Sequence, residues 1–158
     1  MGFLGVVIGP EGIKMKEEKV KGIVEWPTPK CVKDMQKFLG LANYYCQFIE
    51  GFALIARPLY DTVKKDKKWD WTERQEKAFR ELKEQFTKEP VLAALDLDKK
   101  LRVEVDTLDY VMGKVLSMEG RDRKWRLVAF LSKSLNETER NYEIHDKEML
   151  AIIRGLEV

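Results

Sequence analysis

Two carboxylates stand at positions where a protein can bind a divalent metal ion. Asp106 closes an alternating pattern that begins at Leu101 and predicts a β-strand, and Glu148 lies in a later stretch that predicts a helix. An acid at a strand end and another on a following helix can share a metal ion, and such ions promote phosphodiester hydrolysis. Spacing alone leaves a second interpretation open, in which both residues are solvated surface acids.

The predicted strand separates polar and apolar side chains onto opposite faces. One face holds Leu101, Val103 and Val105, and the other holds Arg102, Glu104 and Asp106. Asp106 therefore leaves the apolar side, as a metal ligand must. Asp109 could face the same site as Asp106, but we interpret it as a turn residue. The single histidine, His145, has no serine or cysteine partner in a hydrolytic motif, so we interpret it as a packed or capping helix residue.

Helical patterns dominate the part of the chain before this strand. The residue patterns there predict a strand at 3–8, a turn at 9–12, and helices at 17–25, 29–50 and 54–63. Thr28 and Pro29 have the form of an N-cap followed by a proline at the first helical position. Thr72 and Gln75 have the form of a capping box that opens another helix, which runs to about Thr87.

From Leu101 onward, apolar residues recur at every second position, which predicts three β-strands. They fall at about 101–106, 110–118 and 125–131, and Asn136 is placed to cap a last helix toward the C-terminus. The sequence therefore predicts an α+β fold, with a helical segment followed by three antiparallel strands and one helix.

Composition bounds the possible classes of protein. The chain has 158 residues, 44% hydrophobic and 35% charged, which suits one ordinary domain or two small ones. No apolar run approaches a membrane span, and the start lacks the features of a signal peptide. Cys31 and Cys46 form no disulfide framework, so we expect an intracellular protein. The net charge is only +2. The first part of the chain is basic and the second slightly acidic, which fits phosphate contacts and equally fits two solvated surfaces.

Ordered motifs along nearly the whole chain carry a more specific signal. They are Trp26-Pro27-Thr28-Pro29-Lys30, Phe38-Leu39-Gly40-Leu41-Ala42-Asn43-Tyr44-Tyr45, Ala56-Arg57-Pro58-Leu59, Trp71-Thr72, Val105-Asp106, Glu139-Arg140-Asn141-Tyr142 and Lys147-Glu148-Met149-Leu150-Ala151. In this order and spacing they resemble the reverse transcriptase/RNase H polyprotein of gypsy-type LTR retrotransposons.

The resemblance implies a division of the chain. Residues 1–65 look like the end of the palm and the helical thumb, 66–98 like the connection, and 99–158 like the first half of an RNase H domain. It also implies that Asp106 and Glu148 are catalytic metal ligands, two of the four carboxylates that hold Mg²⁺, or Mn²⁺, in the family. Leu108 departs from the family, which usually has Asp-Ala-Ser at 106–108. The Tyr-x-Asp-Asp-type polymerase motif is absent from these residues.

The implied function is to copy RNA into DNA and to cleave the RNA of RNA–DNA hybrids. The expected partners are an RNA–DNA hybrid or primer–template duplex and further polyprotein regions, in the cytoplasm or a virus-like particle, with no membrane. With two of four carboxylates, we expect the chain alone to be inactive. The alternative is a non-catalytic, retroelement-derived module that binds nucleic acid or protein. An unpaired edge at 101–106 would favour self-association, because exposed strand edges recruit other strands.

Overall fold

The structure of the chain is a computed structural model that describes residues 2–3, 5–88, 90–108 and 110–140. A small N-terminal sheet and four helices form one region, and a second antiparallel sheet follows. No helix in these residues is long and apolar enough to cross a membrane. The predicted α+β fold is confirmed.

The N-terminal sheet is a three-stranded antiparallel meander. Its strands are β1 (Gly2–Phe3), β2 (Val6–Gly9) and β3 (Gly12–Met15), in that order across the sheet. The single strand predicted at 3–8 is wrong, because the chain turns at Gly5, where φ is +85°. A Cβ atom at Gly5 would collide with the hydroxyl oxygen of the buried Tyr45, so only glycine fits there. The predicted turn at 9–12 is confirmed and joins β2 to β3.

Four helices follow. They are α1 (Glu17–Val24), α2 (Val32–Tyr44), α3 (Phe52–Asp61) and α4 (Glu73–Thr87), with a short 3-10 helix at Cys46–Phe48 between α2 and α3. The predicted start of α2 at Thr28-Pro29 is wrong. The chain stays extended through Cys31, the actual N-cap residue, with φ −155° and ψ 169°. The backbone N–H of Lys30 donates to the carboxylate of Asp34 at 3.2 Å, inside the first turn.

One hydrophobic core joins these helices to the N-terminal sheet. The largest fully buried side chains are Phe38, Phe48, Phe79, Phe86, Met15, Ile23, Met35, Leu59 and Leu82. The rings of Phe38 and Phe79 meet edge to face, with centroids 4.8 Å apart, and so link α2 to α4. The predicted capping box at Thr72 and Gln75 is present at the start of α4. The division at residue 65 stays a prediction, although α4 belongs to this same core.

The second sheet is built from three long strands. These are β4 (Leu101–Leu108), β5 (Val111–Glu119) and β6 (Trp125–Ser134), ordered β4-β5-β6, so β4 is an edge strand in the described part of the chain. A short helix, α5 (Glu137–Arg140), begins directly after Asn136. The rest of the predicted C-terminal helix, with Glu148 and His145, lies outside the described residues.

Backbone hydrogen bonds connect the two sheets through the segment after α4. Leu92 bridges to Ile13 of β3, and the N–H of Ala93 donates to the carbonyl of Leu127 in β6 at 2.6 Å. The second sheet is therefore held against the helical region from one side by residues 92–93, and from the other by the contact of β6 with α3.

Candidate nucleic-acid and metal site

Asp106 lies on the open edge of the second sheet. It pairs with Gly113 of β5, and its side chain is exposed on the face that also carries Arg102 and Glu104, as the alternation predicted. A Cβ atom at Gly113 would meet nothing closer than the backbone oxygen of Asp106, at 3.9 Å. Apart from that backbone oxygen, the space over Gly113 is open, on the face of the sheet that carries Asp106.

A cavity of about 260 Å³ opens in front of this face. Its walls include Glu50, Leu54, Glu104, Asp106, Val111 and Phe130. The sheet supplies one wall, and the turn that precedes α3 supplies the other together with Leu54 of α3. Asp106 is thus at the mouth of a cleft between the two regions of the molecule, and no local pattern in the sequence indicated that Glu50 would face it.

The wall formed by α3 is fixed by two contacts to the sheet. The N-cap residue of α3 is Gly51, in the left-handed region with φ 66°, and it has no side chain to cap the helix. Ser132 of β6 replaces that cap, because its hydroxyl oxygen accepts a hydrogen bond from the N–H of Ala53 at 2.8 Å. The guanidinium carbon of Arg57 also lies 3.9 Å from the centre of the Tyr110 ring.

The donor chemistry of Asp106 suits a hard cation, since Mg²⁺ and Mn²⁺ prefer carboxylate oxygens. Glu104 is drawn toward Arg102, with 3.7 Å between their charged atoms. Among the described residues no group of three or more acidic, histidine or cysteine side chains is placed to hold a metal ion. Glu148 lies outside the described residues, so its meeting with Asp106 stays a prediction.

Basic side chains gather at two other places. A groove of about 410 Å³ runs along Trp26, Pro27, Thr28, Pro29, Lys30, Asp34 and Lys37. The second place, which the sequence reasoning missed, is the turn between β5 and β6, where Arg121, Arg123, Lys124 and Arg126 are all exposed. Its signal was four cations within six residues. A further run of lysines at 64–68 is exposed throughout, and the Nζ of Lys64 lies 2.6 Å from a carboxylate oxygen of Asp61.

Solved structures with the same fold include viral reverse transcriptases. The foamy viral protease-reverse transcriptase in complex with dsDNA superposes with a TM-score of 0.88 and 22% identity, over 99% of this chain and 33% of that one. The same viral protein in complex with an RNA/DNA hybrid gives a TM-score of 0.84 and 21% identity, over 98% of this chain and 21% of that one. At these identities the likeness establishes the fold.

Sequence relatives are retrotransposon polyproteins. The Tf2-3 and Tf2-4 transposon polyproteins of Schizosaccharomyces pombe are each 36% identical over 154 residues, which is 98% of this chain. The chain spans only 12% of the length of these polyproteins. The model of the RNase H-like domain found in reverse transcriptase matches residues 71–158. That match covers more than half of the chain, which therefore belongs to this family of reverse-transcriptase RNase H-like domains.

Proposed function

We propose that this chain is part of a retrotransposon polyprotein that copies RNA into DNA and cleaves the RNA strand of RNA–DNA hybrids. The part played by these residues is to hold the nucleic-acid duplex and to contribute carboxylates to the RNase H site. The observation that carries the proposal is the exposed Asp106 opposite Gly113, at the mouth of a cleft, within the region that matches the family.

Asp106 and Glu148 are the residues proposed to hold Mg²⁺ or Mn²⁺. When bound, such ions activate water and stabilise the leaving oxygen in phosphodiester hydrolysis. Asp106 would contribute oxygen ligands at an exposed strand position, opposite Gly113, which has no side chain. Because the family uses four carboxylates and these 158 residues supply two, we propose that they bind the hybrid without cleaving it.

The helical region is proposed to contact the primer–template duplex, as the thumb does in the family. Lys30, Lys33 and Lys37 are exposed at the start and along one side of α2. Lysine ammonium groups on such a surface neutralise phosphates and release counterions, which makes binding sensitive to salt. The compartment proposed for this activity is the cytoplasm or a virus-like particle.

A labelled RNA–DNA hybrid tests the proposal directly. The chain is incubated with the hybrid and Mg²⁺ or Mn²⁺ beside the variant Asp106→Asn, and both binding and cleavage are followed. We expect binding that weakens steeply with salt, and no cleavage by either protein. Cleavage that Asp106→Asn abolishes would overturn the proposed inactivity and support the site. Absence of hybrid binding at low salt would overturn the proposed function.

A second candidate function is a non-catalytic interaction module, and the edge strand favours it. β4 has no second neighbour within the described residues, and Leu101 and Val103 expose 41% and 46% of their surface. We propose that two copies of these 158 residues pair along β4.

Lysines on edge strands oppose such pairing, so Val103→Lys is expected to give a monomer in sedimentation at micromolar concentration. Val24→Lys, on exposed α1, is the control and is expected to leave the dimer intact. A monomeric wild-type chain would contradict the idea.

A further inference from the structure

The turn between β5 and β6 presents positive charge that the fold itself does not use. Arg121, Arg123 and Lys124 are exposed, and none of them makes an ion pair within the part of the chain that the structure describes. Exposed cations with no internal partner remain available to an external anion. The fourth cation, Arg126, has a different role.

Arg126 and Asp122 pair with each other across the turn. The two guanidinium nitrogens of Arg126 donate to the two carboxylate oxygens of Asp122 at 2.9 and 3.0 Å, in a bidentate pair. The same carboxylate accepts from the N–H of Lys124 at 3.2 Å, and the N–H of Gly120 donates to the carbonyl of Lys124 at 2.8 Å. Because Asp122 and Arg126 neutralise each other, the other three cations give the tip its net positive charge.

Arg123 occupies a backbone conformation that does not suit it. Its φ is 59°, and among the described residues it is the only one other than glycine with a positive φ. Glycine or asparagine takes this conformation with less strain. Glycine would suit the backbone at position 123 better than arginine does. The charge of Arg123 can therefore be removed without loss of the turn.

An aromatic ring lies beside the tip. Trp125 is 40% exposed, and the guanidinium carbon of Arg102 lies 4.5 Å from the centre of its ring. The strand register places Arg102 and Trp125 on the same face of the sheet as Asp106. Arginines interleaved with an exposed aromatic ring are the composition that nucleic-acid strands favour, through phosphate contacts and stacking.

The distance between Asp106 and the β5–β6 turn is one that a single nucleic-acid duplex can span. Along β5, Glu119, the partner of Trp125, lies six positions after Gly113, the partner of Asp106. At the rise of an extended strand this is about 20 Å. A strand of a DNA duplex covers the same distance in about six base steps, at about 3.4 Å per phosphate along the axis.

We propose that the β5–β6 tip, defined as Arg121, Arg123 and Lys124, binds the phosphate backbone of the hybrid about six base pairs from Asp106. The inference rests on the proposed binding of the hybrid and adds a specific surface to it. Nucleic acid is favoured over an acidic protein because Trp125 is the only large hydrophobic side chain exposed within residues 119–126, whereas protein interfaces need an apolar centre. The planar guanidinium groups of two arginines also match phosphate geometry.

The test measures hybrid binding by fluorescence anisotropy over a range of salt concentrations, together with thermal unfolding. Arg123→Gly relieves the backbone strain and removes the charge. It is expected to raise Kd about three- to tenfold, to reduce the salt dependence by about one phosphate contact, and to leave the unfolding temperature unchanged or higher. Lys124→Gln is expected to act in the same direction. Lys77→Gln, exposed among the acids of α4, is the matched control and is expected to leave Kd unchanged.

The outcomes separate this inference from the proposed function. Wild-type binding with unchanged Kd in both tip variants would overturn the role of the tip and leave hybrid binding standing. Failure of the wild-type chain to bind the hybrid at low salt would overturn both. Weaker binding of polyglutamate by Arg123→Gly, with hybrid binding unchanged, would show a surface for acidic protein and would also contradict the inference.

Discussion

The helical region and the second sheet are stabilised in different ways. Among the residues that the structure describes, the largest fully buried side chains all lie between Met15 and Phe86, in the helical region and its small N-terminal sheet. The buried cluster of the second sheet consists of Met112 and Leu135, with Val105 packed against it. The first region is held by side-chain burial. The second is held by a long backbone ladder and by its contact with α3.

This difference has a functional consequence. A region that buries its own apolar surface is a stable support, whereas a sheet with an open edge and an exposed face can present Asp106 and the β5–β6 tip to a ligand. Sites tend to be carried on such exposed parts of a rigid scaffold. The comparison therefore predicts that substitutions in the helical core act on stability, and that many in the sheet act on binding.

The largest expected effect contrasts the same substitution in the two regions. Leu82→Ala removes a fully buried side chain from α4 and is expected to destabilise by about 2–5 kcal/mol. Leu101→Ala, at the 41% exposed position on β4, is expected to cost less than about 1 kcal/mol. Urea unfolding followed by tryptophan fluorescence measures both. Equal losses would show that the regions do not differ as described.

The next effect concerns the link between the regions. Ser132→Ala removes the group that caps the N–H of Ala53 and is expected to cost about 0.5–2 kcal/mol. Hydrogen exchange at the start of α3 should accelerate. Ser134→Ala, at an exposed position two residues along the same strand, is the matched control and should change neither quantity. Unaltered exchange in Ser132→Ala would mean that the sheet does not support the helix.

A smaller effect is expected from the contact between Arg57 and the Tyr110 ring. Arg57→Met keeps the apolar stem and removes the charge, at a cost of about 0.5–1 kcal/mol for a partly exposed pair. Tyr110→Phe keeps the ring and should cost much less. If Tyr110→Phe is as harmful as Arg57→Met, the hydroxyl and not the ring face carries the interaction.

How far the sequence predicted these features depends on whether the signal is local. The bounds of α4 follow from its capping box and apolar stripe, and the three strands follow from their alternation. The start of α2 was misplaced because the helix uses Cys31 as its N-cap residue and not Thr28, and the segment before it makes a distant contact. The ammonium group of Lys83 donates to the carbonyl of Trp26 at 2.7 Å, across 57 residues of sequence. No local pattern contains that information.

The features of the candidate site also differ in whether a local sequence pattern predicts them. The face that carries Asp106 followed from alternation along β4, whereas its place on an edge strand followed only from the resemblance to the family. The turn at Gly5, the cap from Ser132 and the approach of Glu50 to the cleft all depend on residues far apart in the chain. These contacts appear only when the sheet and the helices are packed together.

The smallest predicted effect concerns pH and the polar contacts of α4. The indole N–H of Trp71 donates to Glu76 at 2.9 Å and, with Arg80, lowers the pKa of that carboxyl below its ordinary value of 4.5. Its contribution to stability is present above pH 4.5 and is lost as pH falls through the lowered pKa. Trp71→Phe should raise the pKa of Glu76 in an NMR titration. Trp69→Phe is the control and should leave it unchanged, since the indole of Trp71 still donates.

The most direct test concerns the proposal that Asp106 contributes to a divalent-metal site on the open sheet. Paramagnetic Mn²⁺ added in substoichiometric amounts broadens the backbone amide signals nearest to it in NMR spectra. We expect broadening centred on Asp106 and on Gly113 across the strand pair, and its loss in Asp106→Asn. Broadening centred on the acids of α4, or unchanged broadening near residue 106 in that variant, would contradict it.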